Sequence, residues 1–110
     1  MNSLAQNREK WIKKNRYYYK KLIEFLKFNV PEGSRVIEIG CGTGYLLNSL
    51  NPFVGVGIDI SPEMIRVSKE NYPQYDFYLM DVENISINEK FDFVIILKLQ
   101  VLLTYQGLVV

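Results

Sequence analysis

Histidine is absent from all 110 residues and cysteine occurs once, as Cys41. A lone thiol rules out a disulfide framework and makes a reducing compartment the simpler assumption. Without an imidazole to activate it, Cys41 is a poor candidate for a nucleophile and reads as a small residue that fits its turn. No metal site is expected. Long apolar runs are also missing: the stretch before Asn15 is polar, with no secretory h-region, and the apolar C-terminal tail is interrupted by Lys98, Gln100 and Gln106. It falls short of the roughly 18 continuous apolar residues of a membrane span. The expectation is a cytosolic chain.

What is present is globular. Hydrophobic residues make up 48% and charged residues 23%, which suits one small domain with a modest core. The net charge of +1 hides an asymmetry, since Met1 to Val30 carry eight Lys/Arg against two acids and Pro31 to Val110 carry five against ten. A basic segment can meet nucleic acid. Lys13, Lys14, Arg16, Lys20 and Lys21 are equally what the solvated face of a helix requires, and nucleic acid is not the partner expected.

From about Leu4 to Phe28 there is neither proline nor glycine, and Ile12, Tyr19, Ile23 and Leu26 recur at helical spacing. One long amphipathic helix is predicted, ended by Pro31-Glu32-Gly33-Ser34. Val36 to Ile39 then read as a buried parallel strand running into Gly40-Cys41-Gly42-Thr43-Gly44, where three glycines at alternate positions let the backbone bend and approach a ligand. Tyr45 to Leu50 open a helix whose free N–H groups face that turn.

Val54 to Ile60 predict a second strand, and Ser61-Pro62-Glu63 a helix start with serine as N-cap, proline at the first position and an acid in the first turn. Gln74 to Met80 predict a third strand closing at Asp81, and Phe91 to Leu97 a fourth. This βαβ progression implies an α/β fold: a Rossmann-like, open, mainly parallel sheet of about four strands with flanking helices, preceded by the long helix. Leu99 to Val110 carry no charge and offer no polar face for a helix.

Ligands bind beyond the carboxyl ends of such strands, and Glu38, Asp59 and Asp81 stand at or near three of them. Asp59 suits the two hydroxyls of a ribose held over the glycine turn, Asp81 with the Val82 N–H suits an exocyclic amine, and Ile60 and Met64 offer apolar surface to a base. Glu38, a carboxylate in an apolar strand, needs a positive partner or a hydrogen bond from the loop amides. The third glycine falls one residue short of a dinucleotide fingerprint, with Tyr45 at the sixth position, so a cationic, phosphate-free adenosine ligand fits better than a pyrophosphate.

The motifs VIEIGCGTG, GVGIDIS, YLMDVEN and FDFVIIL, in that order from about Arg35 to Leu97, resemble the class I S-adenosylmethionine-dependent methyltransferases. That resemblance implies S-adenosylmethionine as cofactor, its methionine part held by Glu38 and the loop Gly40, Cys41, Gly42, Thr43 and Gly44. Asp59 would bind the ribose, Ile60 and Met64 would flank adenine, and Asp81 with Val82 would recognise its amine. It implies transfer of methyl to an acceptor, a small molecule being the class expected. The alternative is a non-catalytic cofactor-binding or partner-binding module.

The family's sheet runs 3-2-1-4-5-7-6, and four of its strands are legible here. The expectation is therefore a single partial domain, divided into a helix and linker (1–33), a cofactor-binding half (34–97) and an atypical tail (98–110), with a frameshift or aberrant end near Leu97. On that reading the fourth strand would be an exposed edge through which the chain could associate. No catalytic base is identified.

Overall fold

The computed structural model describes residues 4–98 and 101–106. The helical N-terminal region is divided into α1 (Leu4–Lys14) and α2 (Arg16–Asn29). After it come β1 (Arg35–Ile39), α3 (Tyr45–Ser49), β2 (Val54–Asp59), α4 (Pro62–Asn71), β3 (Asp76–Leu79), a short 3-10 turn (Val82–Asn84), β4 (Phe93–Lys98) and β5 (Val101–Gln106).

The expected single helix is broken at Asn15, which leaves helical geometry at φ −104° and ψ 35° and whose side-chain amide donates to the Trp11 carbonyl at 2.8 Å. The break has a tertiary cause. α2 buries Tyr19 and Leu26, with Leu26 in the core layer beneath the sheet. α1 instead lies against α4, where the Glu63 carboxylate accepts the Leu4 and Ala5 backbone N–H groups at 3.1 and 3.4 Å. An acid in the positive first turn of α4 thus also satisfies the free donors of a second helix. The Ser61 start is as predicted: its hydroxyl accepts the Met64 N–H at 3.3 Å, with proline opening the helix.

The sheet order is β3-β2-β1-β4-β5, with β1 to β4 mutually parallel, as expected. β1 is central, Val36 pairing with Gly55 on one side and Phe93 on the other. α2, α3 and α4 pack Leu26, Leu46, Leu47 and Ile65 against one face. The opposite face, with Ile37, Val56, Ile58 and Val94, is covered by Ile85, Ile87 and Phe91 from the connection before β4. That role explains why β4 starts at Phe93 rather than Phe91. Asp92 is fixed before it by Arg35, whose backbone N–H donates to Oδ2 at 2.8 Å and whose guanidinium meets Oδ1 at 3.0 Å. This pairing holds the Asp92 carboxyl below its usual range.

One expectation is overturned. β5 lies antiparallel along the whole of β4, from Lys98 opposite Val101 to Phe93 opposite Gln106. The fourth strand therefore has neighbours on both sides, and association through an exposed β4 edge does not apply. A charge-free tail finds backbone partners by folding straight back, a connection open only to an antiparallel neighbour. It takes the place of the fifth strand in the family order but not its direction.

Candidate functional site

β1 delivers the chain into a turn in which Gly40, Gly42 and Gly44 adopt φ of +78°, +57° and +87°, the left-handed region that side chains rarely enter. The Gly40 and Cys41 N–H groups donate to the Ile58 carbonyl at 2.8 and 3.0 Å, which ties the turn to the end of β2. Asp59 strengthens the tie: its Oδ2 accepts the Gly42 N–H and its Oδ1 the Ser61 N–H, both at 2.9 Å. One carboxylate thereby fixes the loop after β1 to the loop after β2. Each of its oxygens keeps acceptor capacity for a further donor.

The structure brings the predicted residues together in two places. An open pocket of about 450 Å³ at the strand ends is lined by Gly40, Asp59, Ile60, Asp81 and Val82, with Ile39, Ile58, Met80 and Ile96 as its apolar floor. Ile60 is 72% exposed, an isolated apolar side chain at the rim. Asp81 caps the turn that follows, its Oδ1 accepting the Glu83 N–H at 3.0 Å. Met64 does not reach this pocket. Its backbone is engaged with Ser61 on the first turn of α4.

The second place is a small, partly open cavity of about 10 Å³ behind the glycine turn, lined by Arg8, Ile12, Tyr19, Glu38, Cys41, Thr43, Tyr45 and Leu46. Two polar atoms there have no partner among the described residues, Glu38 Oε1 and Thr43 Oγ1, although both residues are buried. Burial pushes the Glu38 carboxyl up from 4.5 to about 8, against the opposing pull of the Arg8 charge and the Leu47 amide. Burial likewise drives the Cys41 thiol well above its usual range, so it is not a thiolate. The expected hydrogen bond from the glycine-loop amides to Glu38 is made to Asp59 instead.

Arg8 escaped the sequence reading. On α1 it looked like one more solvated cation, yet its guanidinium lies over Gly42, with Cζ only 3.5 Å from where a Cβ would stand. Its charge also acts on the Tyr19 hydroxyl, although burial outweighs that effect and raises the Tyr19 pKa. Tyr19 in turn packs edge-on against Trp11, Tyr18 and Tyr45. The spacing of Arg8 and Ile12, one helical turn apart, is the signal that would have placed both on the inward face. Met80, Ile39 and Ile96 were likewise missed, being ordinary strand residues until the sheet aligns their ends. No group of three or more Asp, Glu, Cys or His side chains suited to a metal occurs among the described residues.

A parallel sheet with this strand order, a glycine turn after β1 and an acid closing β2 defines a nucleotide-type α/β domain whose site opens at the carboxyl ends of the strands. Residues 36–107 match the family model described as a methyltransferase domain, and the chain belongs to that family. A protein of Invertebrate iridescent virus 6, named as a methyltransferase, is 37% identical over 73 residues, which cover 63% of this chain and 28% of that protein. The malonyl-[acyl-carrier protein] O-methyltransferase of Acetivibrio thermocellus is 29% identical over 97 residues, covering 83% of this chain and 34% of the relative. Among solved structures, coclaurine N-methyltransferase bound to N-methylheliamine and SAH superposes with a TM-score of 0.64 at 16% identity, over 74% of this chain and 27% of that one. The chain thus spans about a third of the length of these curated relatives.

Proposed function

We propose that this chain binds S-adenosylmethionine and forms the cofactor-binding half of a methyltransferase acting on a small-molecule acceptor. The observation that carries the reading is the pairing of the two cavities. The open pocket ends in Asp59 and Asp81 with an apolar floor, which suits a nucleoside. The space behind the glycine turn holds an unpartnered buried carboxylate oxygen, which suits a cation. A phosphate-bearing dinucleotide would bring that oxygen no hydrogen-bond donor.

In this reading Asp59 accepts the ribose hydroxyls while still holding the loop. Ile60, Met80 and Ile96 enclose the base, and the Val82 N–H and Asp81 carboxylate read its edge. The turn from Gly40 to Gly44 lets the backbone approach the ligand, and Glu38 with Thr43 receives the amino group. Met64 is left with a supporting role, fixing the entry of α4 through the Ser61 cap. Bound S-adenosylmethionine supplies an electrophilic methyl on sulfonium. This chain's residues orient it and shield it from water, and alignment alone carries a large part of such a transfer.

A second reading is a cofactor-binding module without turnover. Calorimetry with S-adenosylmethionine and its demethylated product tests both. Binding is expected, and Asp59→Ala should weaken it about 10- to 100-fold through lost charge-assisted hydrogen bonds and a loosened loop. A folded wild-type protein that binds neither would refute both readings. Methyl transfer to any of a panel of small acceptors, lost in Asp59→Ala, would eliminate the module reading.

A further inference from the structure

α2 turns Ile23 and Leu26 toward the sheet, with Tyr19 buried in its first turns. Its outward face is not the uniformly polar surface that a solvated helix presents. Tyr17, Lys21, Phe25 and Phe28, at steps of four, four and three, form one stripe along it. The three rings of that stripe are 74%, 55% and 90% exposed. Lys20, Glu24 and Lys27 form the neighbouring row, and the helix carries four cations against one acid. Lys21 answers that acid, with Nζ 3.5 Å from Glu24 Oε2, and reaches over the Tyr17 ring at 5.6 Å. Arg16, Lys20 and Lys27 have no ion-pair partner among the described residues.

Single apolar side chains are ordinary on a protein surface, whereas rings grouped on one helix face and bordered by unpaired cations suit anionic headgroups lying over hydrocarbon. The rings enter the acyl boundary, and the lysine stems run along it until their ammonium groups meet phosphate. A protein partner suits this face less well, because the cores of protein–protein interfaces are depleted of lysine. We propose that α2 docks this chain on an anionic membrane surface, with Tyr17, Phe25 and Phe28 toward lipid and Arg16, Lys20, Lys21 and Lys27 at headgroup level. The contact is superficial, since no described helix is long and apolar enough to cross a membrane. α2 runs from Tyr19, which packs on Tyr45 beside the glycine turn, to the bend at 31–34 that leads into β1, so its axis follows that of the strands. Laid flat, it sets the sheet parallel to the bilayer, and the pocket between Asp59 and Asp81 opens along the membrane rather than against it. The proposal is independent of what that pocket binds.

Co-sedimentation measures it, with vesicles of phosphatidylcholine alone and of equal parts phosphatidylcholine and phosphatidylglycerol. The wild type should bind the mixed vesicles, bind phosphatidylcholine far less, and be released as salt rises. A few charges or a few rings by themselves anchor only weakly, so both halves of the face should be needed. Tyr17→Ser/Phe28→Ser and Lys20→Glu/Lys27→Glu are each expected to lower the partition coefficient at least about 10-fold. Leu79→Ser, which removes an exposed apolar side chain from β3, should leave it unchanged. All of these side chains are exposed, and each variant is verified as folded by its thermal transition. A wild type that ignores the mixed vesicles or binds both kinds equally, full binding by either double variant, or equal weakening by Leu79→Ser would overturn the proposal. So would a preference for poly(U) RNA over the mixed vesicles, which would give the face to nucleic acid instead.

Discussion

Replacing Glu38 by glutamine should stabilise the ligand-free protein at alkaline pH and change it little near pH 5. The carboxyl is buried in β1 with one oxygen unpartnered, and burial raises its pKa from 4.5 to about 8. A raised carboxyl pKa means the folded state holds the proton more tightly than the unfolded chain. Below about pH 4.5 both states are protonated and Glu38 contributes no difference. Between about 4.5 and 8 the unfolded chain loses the proton first, so folding stability falls by about 1.4 kcal/mol per pH unit. Above about 8 the penalty levels off on the order of 5 kcal/mol. That is a large share of the roughly 5–15 kcal/mol available to a domain of this kind. Glutamine keeps the shape and cannot ionise, so it is free of the penalty. Urea unfolding of both proteins at intervals from pH 5 to pH 9 gives the test, because shifts elsewhere, such as that of Asp92, cancel in the difference. A wild-type minus Glu38→Gln difference that is independent of pH, or that moves in favour of the wild type as pH rises, would refute the burial argument.

Three further outcomes follow from the same geometry. Burial holds the Glu38 carboxyl largely protonated near neutral pH, so an ammonium arriving beside it should expel a proton on binding. The heat of binding should accordingly depend on the ionisation heat of the buffer, and identical heats in phosphate and Tris would contradict it. Gly57→Ala would place a Cβ 2.6 Å from Phe77 Cδ1 and 2.8 Å from Cys41 Sγ. A loss of about 1–3 kcal/mol in urea unfolding is expected from that overpacking, and an unchanged midpoint would show that the core gives way. Gly42→Val must hold a β-branched residue at φ +57° under Arg8. It should cost about 1–3 kcal/mol of stability and weaken S-adenosylmethionine at least about tenfold, whereas retained affinity would place the ligand elsewhere.

Features written in local chemistry were legible in the sequence. Ser61-Pro62-Glu63 specifies a helix start through a hydroxyl, a fixed φ and a charge, all within three residues, and the helix starts there. The apolar runs before Gly40 and Asp59 predicted central strands, and those strands are parallel neighbours. Features decided between distant segments were not legible. Nothing near Asn15 forbids a continuous helix; the break comes from α1 and α2 packing on different partners. β3 is four residues rather than seven because only Asp76 to Leu79 find partners on β2. Glu38 was recognised as a carboxylate needing a cation, yet Arg8, 30 positions earlier, carried no mark to set it apart from the other basic residues of the helix. The tail looked unsuited to a helix, and the strand it forms depends on β4 being free to receive it.

The β4–β5 hairpin also bears on the order of assembly. Val36 of β1 must find Phe93 of β4 across 57 positions, while Val36 and Gly55 lie 19 apart and Lys98 and Val101 only three. Closing the longer loop costs about 1 kcal/mol more than closing one of about 20 residues. Local ribbons form in microseconds, well before such a closure is rewarded by contacts. β4 can therefore reach the rest of the sheet already paired on its outer side, presenting a single open edge for β1 to recognise. Its apolar strand is protected from pairing with other chains during the slowest step of assembly.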